Sequence, residues 1–521
     1  VQNDEMEVLD IMNVNKLSGY QRHKKLIFCV KKEDDNLNKL IRVFKQYPEL
    51  CKQKVLIIDD EADFCGVSFK RKNNVKQVGT IMQQISDMRK MIIDSHYLLV
   101  TATPFSLYLQ PDNYIGTEKL LAPTRPIFTQ LVPTHDKYIG GDHFFNPMGE
   151  EKTSIYHDIK EFIDPNELTI LKNPNSIELR KDSKTMYKYK FWDALLNFMI
   201  GGCIRRIQEK KPKKYSFIIH TEIPKKKHTW QSKIAESCFE NFEYLLKHET
   251  ENFKVIIRQY YLHLSYTLKK IINNTLPTFE EVFKEFKENI INNYYSVETV
   301  NSDSQTDDLM DERTGQLKLS SPFMVFVGGN ILDRGISIEN LIGFYYGRSP
   351  KKSQIDTVLQ HLRCFGPRPE KDMAVTRTYS TIMIYRQLSA MHEIEDALWE
   401  SIEKNGTSCP VNFIQNRMEN VIPCSPNKLL FSDVLSIRPG RLILPKGFQT
   451  KNKLTQEKIT KAIDGKLFEF QDTVNNIEKI NHIEANHIID LIWKSFVFKK
   501  KYKMNVDEFK SITSHLLNEC N

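Results

Sequence analysis

The 521 residues contain no run of about 18 uninterrupted apolar residues, so no segment reads as a membrane-spanning helix. The nine cysteines include no Cys-x-x-Cys pair, which removes the usual spacing of a zinc ribbon or a dithiol redox centre. Several lie inside apolar runs and are expected to be reduced and mostly buried. No one sign of charge dominates: 74 basic against 66 acidic residues give +8, which permits a polyanionic partner without requiring one. No signal or transit segment is recognisable, and a cytoplasmic compartment is expected. Internal repeats are absent, and low complexity is limited to lysine clusters at Lys211 to Lys214, Lys225 to Lys227 and Lys499 to Lys501. Missing too is any Gly-Lys-Ser/Thr sequence, the backbone cradle and lysine of a phosphate-binding loop.

What is present belongs to a globular chain, with 40% hydrophobic and 27% charged residues. Its length leaves room for two to four domains of about 100 to 200 residues. Apolar runs at Leu26 to Val30, Val55 to Ile58 and Tyr97 to Val100 predict buried strands, with a helix over Asn36 to Phe44 between the first two. That alternation predicts an α/β fold with a parallel sheet. Pro104 to about Thr185 loses the rhythm and reads as an inserted irregular segment. From Phe191 a helical pattern leads to a strand at Tyr215 to Ile219, and a further strand is expected at Phe323 to Val327 after the acidic loop Asn301 to Glu312. Beyond Pro445 amphipathic helix is expected. The resulting division is 1–125, 126–190, 191–440 and 441–521.

Four elements carry chemistry. The strand VLIIDDEAD, Val55 to Asp63, ends in carboxylates, and open parallel sheets hold their ligands at the carboxyl ends of strands. Asp60 is expected to hold Mg²⁺ and Glu61 to orient and deprotonate an attacking water. In YLLVTATP, Tyr97 to Pro104, the hydroxyls of Thr101 and Thr103 can hydrogen-bond the carboxylate cluster on the neighbouring strand, with Asp63 completing the coupling. The segment FVGGNILDRGISIENL, Phe326 to Leu341, breaks a strand at two glycines and then presents Arg334 and Gly335 to phosphate. The segment DTVLQHLRCFGPR, Asp356 to Arg368, sets Gln360, Arg363 and Arg368 at a helix end, where an arginine can neutralise charge developing in phosphoryl transfer.

In this order the elements resemble motifs II, III, V and VI of superfamily 2 helicase-like ATPases, and in detail the branch bearing the Z1 domain. GGNILDRGISIENL is similar to that branch's GGNxLSRGLTLEGL, and Asp356 with Thr357, Gln360, Arg363, Phe365, Gly366 and Arg368 matches its DTxxQxGRxFGxR. Weaker matches run from about Lys24 to Asn412 and include Val30-Lys-Lys, Tyr138-Ile-Gly ahead of Phe144 and Phe145, and Ile219 to Thr221. Departures are Leu362 in place of Gly, Asp333 in place of Ser, and Phe64 to Ser68 in place of Ala-Ser-x-Asn-Thr.

The resemblance implies two RecA-like parallel-sheet lobes, the first incomplete at its N-terminal side because the family's phosphate loop precedes the Lys-Lys strand. It further implies ATP and Mg²⁺ as cofactors and nucleic acid, DNA foremost, as partner. It also implies a phage-defence or restriction setting beside a separate nuclease or ATPase chain. His220, Thr221, Lys31 and Lys32, each just after a strand, are the expected phosphate-backbone contacts. Two functions stay open: an ATP-dependent translocase or helicase-like motor, and a catalytically silent two-lobed module that binds DNA or a protein. The absent phosphate loop has two explanations as well, a chain that is the C-terminal portion of a longer polypeptide, which the Val start favours, or a natural short form.

Overall fold

The structure is a computed structural model. It describes residues 26–64, 69–72, 75–109, 126–145, 154–173, 186–209, 211–221, 225–271, 276–300, 310–311, 316–328, 338–350, 353–362, 364–405, 421–428, 448–469, 487–488, 490–492, 494 and 496–498. The chain divides into two compact units, one of residues 1–130, 404–413 and 423–521 and the other of residues 131–403 and 414–422.

In the first unit, helix α1 (Asp34–Gln46) begins with Asp34 and Asp35 and ends with Lys45, complementing its dipole at both ends. Its apolar stripe of Leu37, Leu40, Ile41, Val43 and Phe44 is buried. Strand β1 (Lys54–Asp60) follows, then a hairpin of β2 (Phe69–Lys72) and β3 (Val75–Val78), helix α2 (Thr80–Met91) and strand β4 (Asp94–Val100). β4 runs parallel to β1 with Asp60 opposite Val100. Both strands extend slightly beyond the runs expected from sequence.

Leu26 to Val30 differs from its expectation. It lies in no strand, yet Leu26, Phe28 and Val30 pack against the core formed by α1, Met88 and Ile92. The alternating pattern there records burial on one side of an extended chain, not pairing. The same core takes Val55 and Ile57, while Leu56 and Ile58 on the other face of β1 are each 61% exposed. Leu98 and Val100 of β4 are exposed as well. Parallel sheets are ordinarily covered on both faces, so this two-stranded ribbon presents an uncovered apolar side.

The second unit is built on a six-stranded, wholly parallel sheet. Its elements in chain order are β5 (Tyr138–Ile139), β6 (Lys160–Phe162), α3 (Pro165–Leu171), α4 (Lys190–Gln208) and β7 (Tyr215–His220), followed by α5 (Lys225–His248), α6 (Thr250–Lys269), α7 (Phe279–Ile291), β8 (Tyr295–Val300), β9 (Phe323–Gly328) and β10 (Leu341–Tyr346). They continue with β11 (Ser353–Gln354), α8 (Ile355–His361), β12 (Gly366–Pro367), α9 (Glu370–Val375), β13 (Arg377–Ser380) and α10 (Ile382–Asn405). The sheet order is β6-β13-β10-β7-β9-β8. β7, β9 and β10 are buried along their whole length, which is why they read as continuous apolar runs.

The segment 126–190, expected as an insertion, furnishes the edge strand β6 and helix α3 of this unit. Its short, irregular sequence hides that role because an edge strand of three residues carries almost no periodicity. Helix α4 is buried on nearly every side, and Gly202 lets it press on the sheet: a Cβ there would stand 2.4 Å from the Phe323 ring. The N-terminus of α4 needs acceptors for its free N–H groups. Glu167 of α3 supplies them, taking the N–H of Lys190 and of Phe191 at 2.8 Å each, and the Tyr345 hydroxyl donates to it at 2.7 Å. In the C-terminal region, helix Lys453–Glu469 is present, and Phe448–Thr450 pairs antiparallel with Phe496–Phe498 where helix alone was expected.

Glu167→Ala would leave three donors facing an apolar interior and is expected to cost about 3 kcal/mol in urea denaturation. Burial raises the Glu167 carboxyl above its ordinary value. Its contribution is therefore complete below the unfolded pKa and is lost as pH rises through the raised native value. Glu167→Gln should remove that slope from the stability profile.

Candidate functional site

β1 ends in four acidic side chains that alternate in fate. Asp59 and Asp63 are buried, the latter with no exposed surface, while Asp60 and Glu61 face solvent. The pleat produces the first contrast, and a turn after Asp60 produces the second. Glu61 occupies the left-handed region at φ 51°, uncommon for a non-glycine residue, and Phe64 N–H closes the turn on the Glu61 carbonyl at 2.8 Å. The Ala62 N–H bonds the Val100 carbonyl at 3.0 Å, carrying the ladder past the end of β1. Asp60 Oδ1 accepts the Glu61 N–H at 3.0 Å.

Each buried carboxylate is met from inside. Asp59 takes Lys32 Nζ at 2.6 Å and the Tyr97 hydroxyl at 2.5 Å. Burial, with Asp59 beside it, pushes the Tyr97 hydroxyl well above its ordinary value, so it remains a donor. Arg89 stacks over the Tyr97 ring at 4.5 Å. Lys32 also bonds the carbonyls of Asp60 and Glu61 at 2.8 and 2.9 Å, cross-bracing the turn. Asp63 takes Thr101 Oγ1 at 2.6 Å, Thr103 Oγ1 at 3.2 Å and Lys428 Nζ at 2.9 Å. The Thr103 N–H in turn bonds Thr101 Oγ1 at 3.0 Å.

The structure thus joins Asp60, Glu61, Asp63, Thr101 and Thr103, all named from sequence, in one strand-end cluster. It adds Asp59, Tyr97 and Lys428, which sequence reasoning missed. Lys428 lies 365 positions from Asp63, and no local pattern could have announced it. Asp59 was visible as an acid beside Asp60, and strand alternation is the signal that would have assigned it to the inner face.

The four expected nucleic-acid contacts divide. Lys31 is exposed and pairs with Glu33 at 2.7 Å. Lys32 is engaged in the turn, since its ammonium lies where carboxylate and carbonyls converge. His220 and Thr221 are buried at the end of β7, the ring of His220 set edge-on to Tyr346 and Thr221 accepting from Gln231. A fully buried strand leaves its last residues inside the unit, so these side chains are not at a surface in this structure.

In the second unit Gln360 is half-buried on α8, and Arg334, Gly335 and Arg363 lie outside the described residues. Arg368 follows β12, which pairs antiparallel with β5. Its N–H bonds the Lys137 carbonyl at 3.1 Å, and Nη1 donates to the Leu341 carbonyl at the start of β10 at 3.0 Å. Leu362, where a glycine is usual in the similar family, adopts φ −77° with its side chain buried, so the backbone makes no demand for glycine. Cys51, Cys203, Cys238, Cys364 and Cys424 are buried and Cys29 is exposed, whereas Cys65, Cys409 and Cys520 are outside the described residues.

With β9, α8 and the turn to Arg368 in view, the comparison with known families becomes specific. Residues 190–414 match the Z1 domain. The match spans α4 to α10 and thus most of the six-stranded sheet; the strand-end cluster on β1 and β4 lies outside it. No curated protein and no solved structure matches the chain. No helix among the described residues is long and apolar enough to cross a membrane.

Lys428→Met would strand the buried Asp63 charge and is expected to cost about 3 to 5 kcal/mol in chemical denaturation. Adding Asp63→Asn to that variant should recover much of the loss, and a double-mutant cycle measures the coupling.

Proposed function

We propose that the chain is part of a nucleotide-hydrolysing motor that acts on nucleic acid, DNA in the first place. The observation that carries this reading is the strand-end cluster: two outward carboxylates on a braced turn, with a third buried and held by two threonines just beyond the end of the adjacent parallel strand. In this reading Asp60 holds the Mg²⁺ of Mg²⁺–ATP, and Glu61 orients and deprotonates the water that attacks the γ-phosphate. The fixed turn supports such roles because Lys32 and the ladder bond of Ala62 hold it through backbone atoms.

Asp63, Thr101 and Thr103 then form the coupling element. A carboxylate with no exposed surface cannot shift without breaking its hydrogen bonds, so a displacement of β4's end is transmitted to the Asp60–Glu61 turn and back. Arg334, Gly335, Gln360, Arg363 and Arg368 take the phosphate-contacting roles that the helicase-like resemblance implies. The match over residues 190–414 supports the Z1 part of that resemblance. A separate nuclease or ATPase chain is the partner class this reading implies.

A second reading, a silent module that binds DNA or protein, is favoured by one observation: the 521 residues include no Gly-Lys-Ser/Thr sequence. Equilibrium binding of Mg²⁺–ATP to the chain separates the two, since measurable affinity removes the silent module.

For the motor, DNA-stimulated phosphate release by a polypeptide containing this chain is the direct assay. Glu61→Gln should lower it by at least about 100-fold while leaving Mg²⁺–ATP binding within a few-fold, the expected result of removing a general base. Unchanged turnover in that variant would remove the motor reading.

A further inference from the structure

Far from the strand-end cluster in sequence, the second unit brings together Asp142, His392 and Asp396. One ligand atom from each lies within 4.8 Å of the others. His392 Nε2 stands 3.0 Å from Asp142 Oδ1 and 3.1 Å from Asp396 Oδ2. Ligand atoms held about 2.1 Å from one metal ion are themselves about 3.0 to 3.4 Å apart, so these separations already suit a shared ion.

The imidazole points to the same conclusion independently. His392 is only 4% exposed, and its Nδ1 has no hydrogen-bond partner, the nearest carboxylate oxygen, Glu395 Oε2, lying 3.9 Å away. A single Nε2 proton serves one acceptor well, yet two carboxylates converge on that nitrogen and a third stands behind the ring. The ring is also closely seated. A Cβ on Gly141 would lie 2.3 Å from Nδ1, so only a glycine lets the backbone of the Gly141–Phe145 turn approach it. Phe145 packs on the ring from the same turn, with centroids 5.7 Å apart.

We infer that Asp142, His392 and Asp396 bind a divalent transition-metal ion of the Mn²⁺, Co²⁺ and Zn²⁺ class. The ion binds Nε2 of the neutral ring, whose single proton is then on Nδ1, the side facing Glu395. That is the carboxylate-histidine-metal arrangement, in which an outer carboxylate orients the ring and raises its basicity. One imidazole with two carboxylates favours these ions over Ca²⁺, whose sites are built from six to eight oxygens. Three protein ligands leave coordination positions for water, and the exposed Asp142 sits on the solvent side of the ion. The ion ties the Gly141–Phe145 turn to α10 across 250 residues of sequence. This site is independent of the nucleotide reading.

The test uses the full chain, stripped with a chelator and titrated with Co²⁺. One ion per chain is expected, with ligand-field absorption of nitrogen and oxygen ligands and no thiolate charge-transfer band. Asp142→Asn, at an exposed position, should weaken binding at least ten-fold, as should Asp396→Asn, and Glu395→Gln about ten-fold. Asp87→Asn, an exposed acid of α2 outside both sites, should leave the titration unchanged. His392→Gln should abolish it, but because that ring is buried the two aspartate variants, checked for native circular dichroism, decide the matter. Absence of binding, a thiolate band, equal affinity in both aspartate variants and the parent, or loss in Asp87→Asn would each overturn the assignment.

Discussion

A carboxylate with no exposed surface must find its counter-charge and hydrogen bonds inside the protein, and Asp63 does so at the end of β1. Thr101 and Thr103 follow the end of the neighbouring strand, and Lys428 comes from 365 positions along the chain. Leaving such a group unpaired costs several kcal/mol, so the contacts hold the chain reversal after Asp60 in place. With Asp63 turned inward and Asp59 turned inward by the pleat, Asp60 and Glu61 are left to face outward. The exposed acidic pair is a consequence of the buried one.

The left-handed backbone at Glu61 fits this account. A non-glycine residue there carries a modest strain, and the surroundings over-determine it: the ladder bond of Ala62 on one side, Lys32 on two carbonyls, and Asp63 locked beyond. Strained, braced turns of this sort are suited to presenting a side chain in one direction. In the second unit the constraint is of another kind. A parallel sheet whose central strands have no exposed residue must be covered by helices, and α4, buried on nearly every side, is the clearest product of that need. The Glu167 carboxylate completes it by serving a helix start that would otherwise lie unsatisfied in the interior.

Local patterns were legible in proportion to their length and regularity. The helix at α1, strands β1, β4, β7 and β9 and the long helix α4 all stand within a few residues of where apolar periodicity put them. Leu26 to Val30 shows the limit, since alternation signals a buried side and says nothing about whether a partner strand is there. The segment before α4 shows another: β6 is too short to carry a period, and it is strand only because β13 is beside it. Lys32, His220 and Thr221 read as surface groups because each stands at the end of an apolar run, but whether such an end is outside or inside depends on what packs over it.

The sequence by itself determined the α/β character with its parallel sheet, the acidic and hydroxyl-bearing strand ends, and the resemblance to the Z1 domain, because each is written in contiguous residues with a short physical period. Tertiary structure alone decided which of the four acids at β1 are neutralised and which are presented, that Lys428 completes the Asp63 cluster, and that Asp142 meets His392 and Asp396. Those outcomes depend on contacts between residues tens to hundreds of positions apart, and burial, which sets the energy of every charge involved, exists only once the chain has folded.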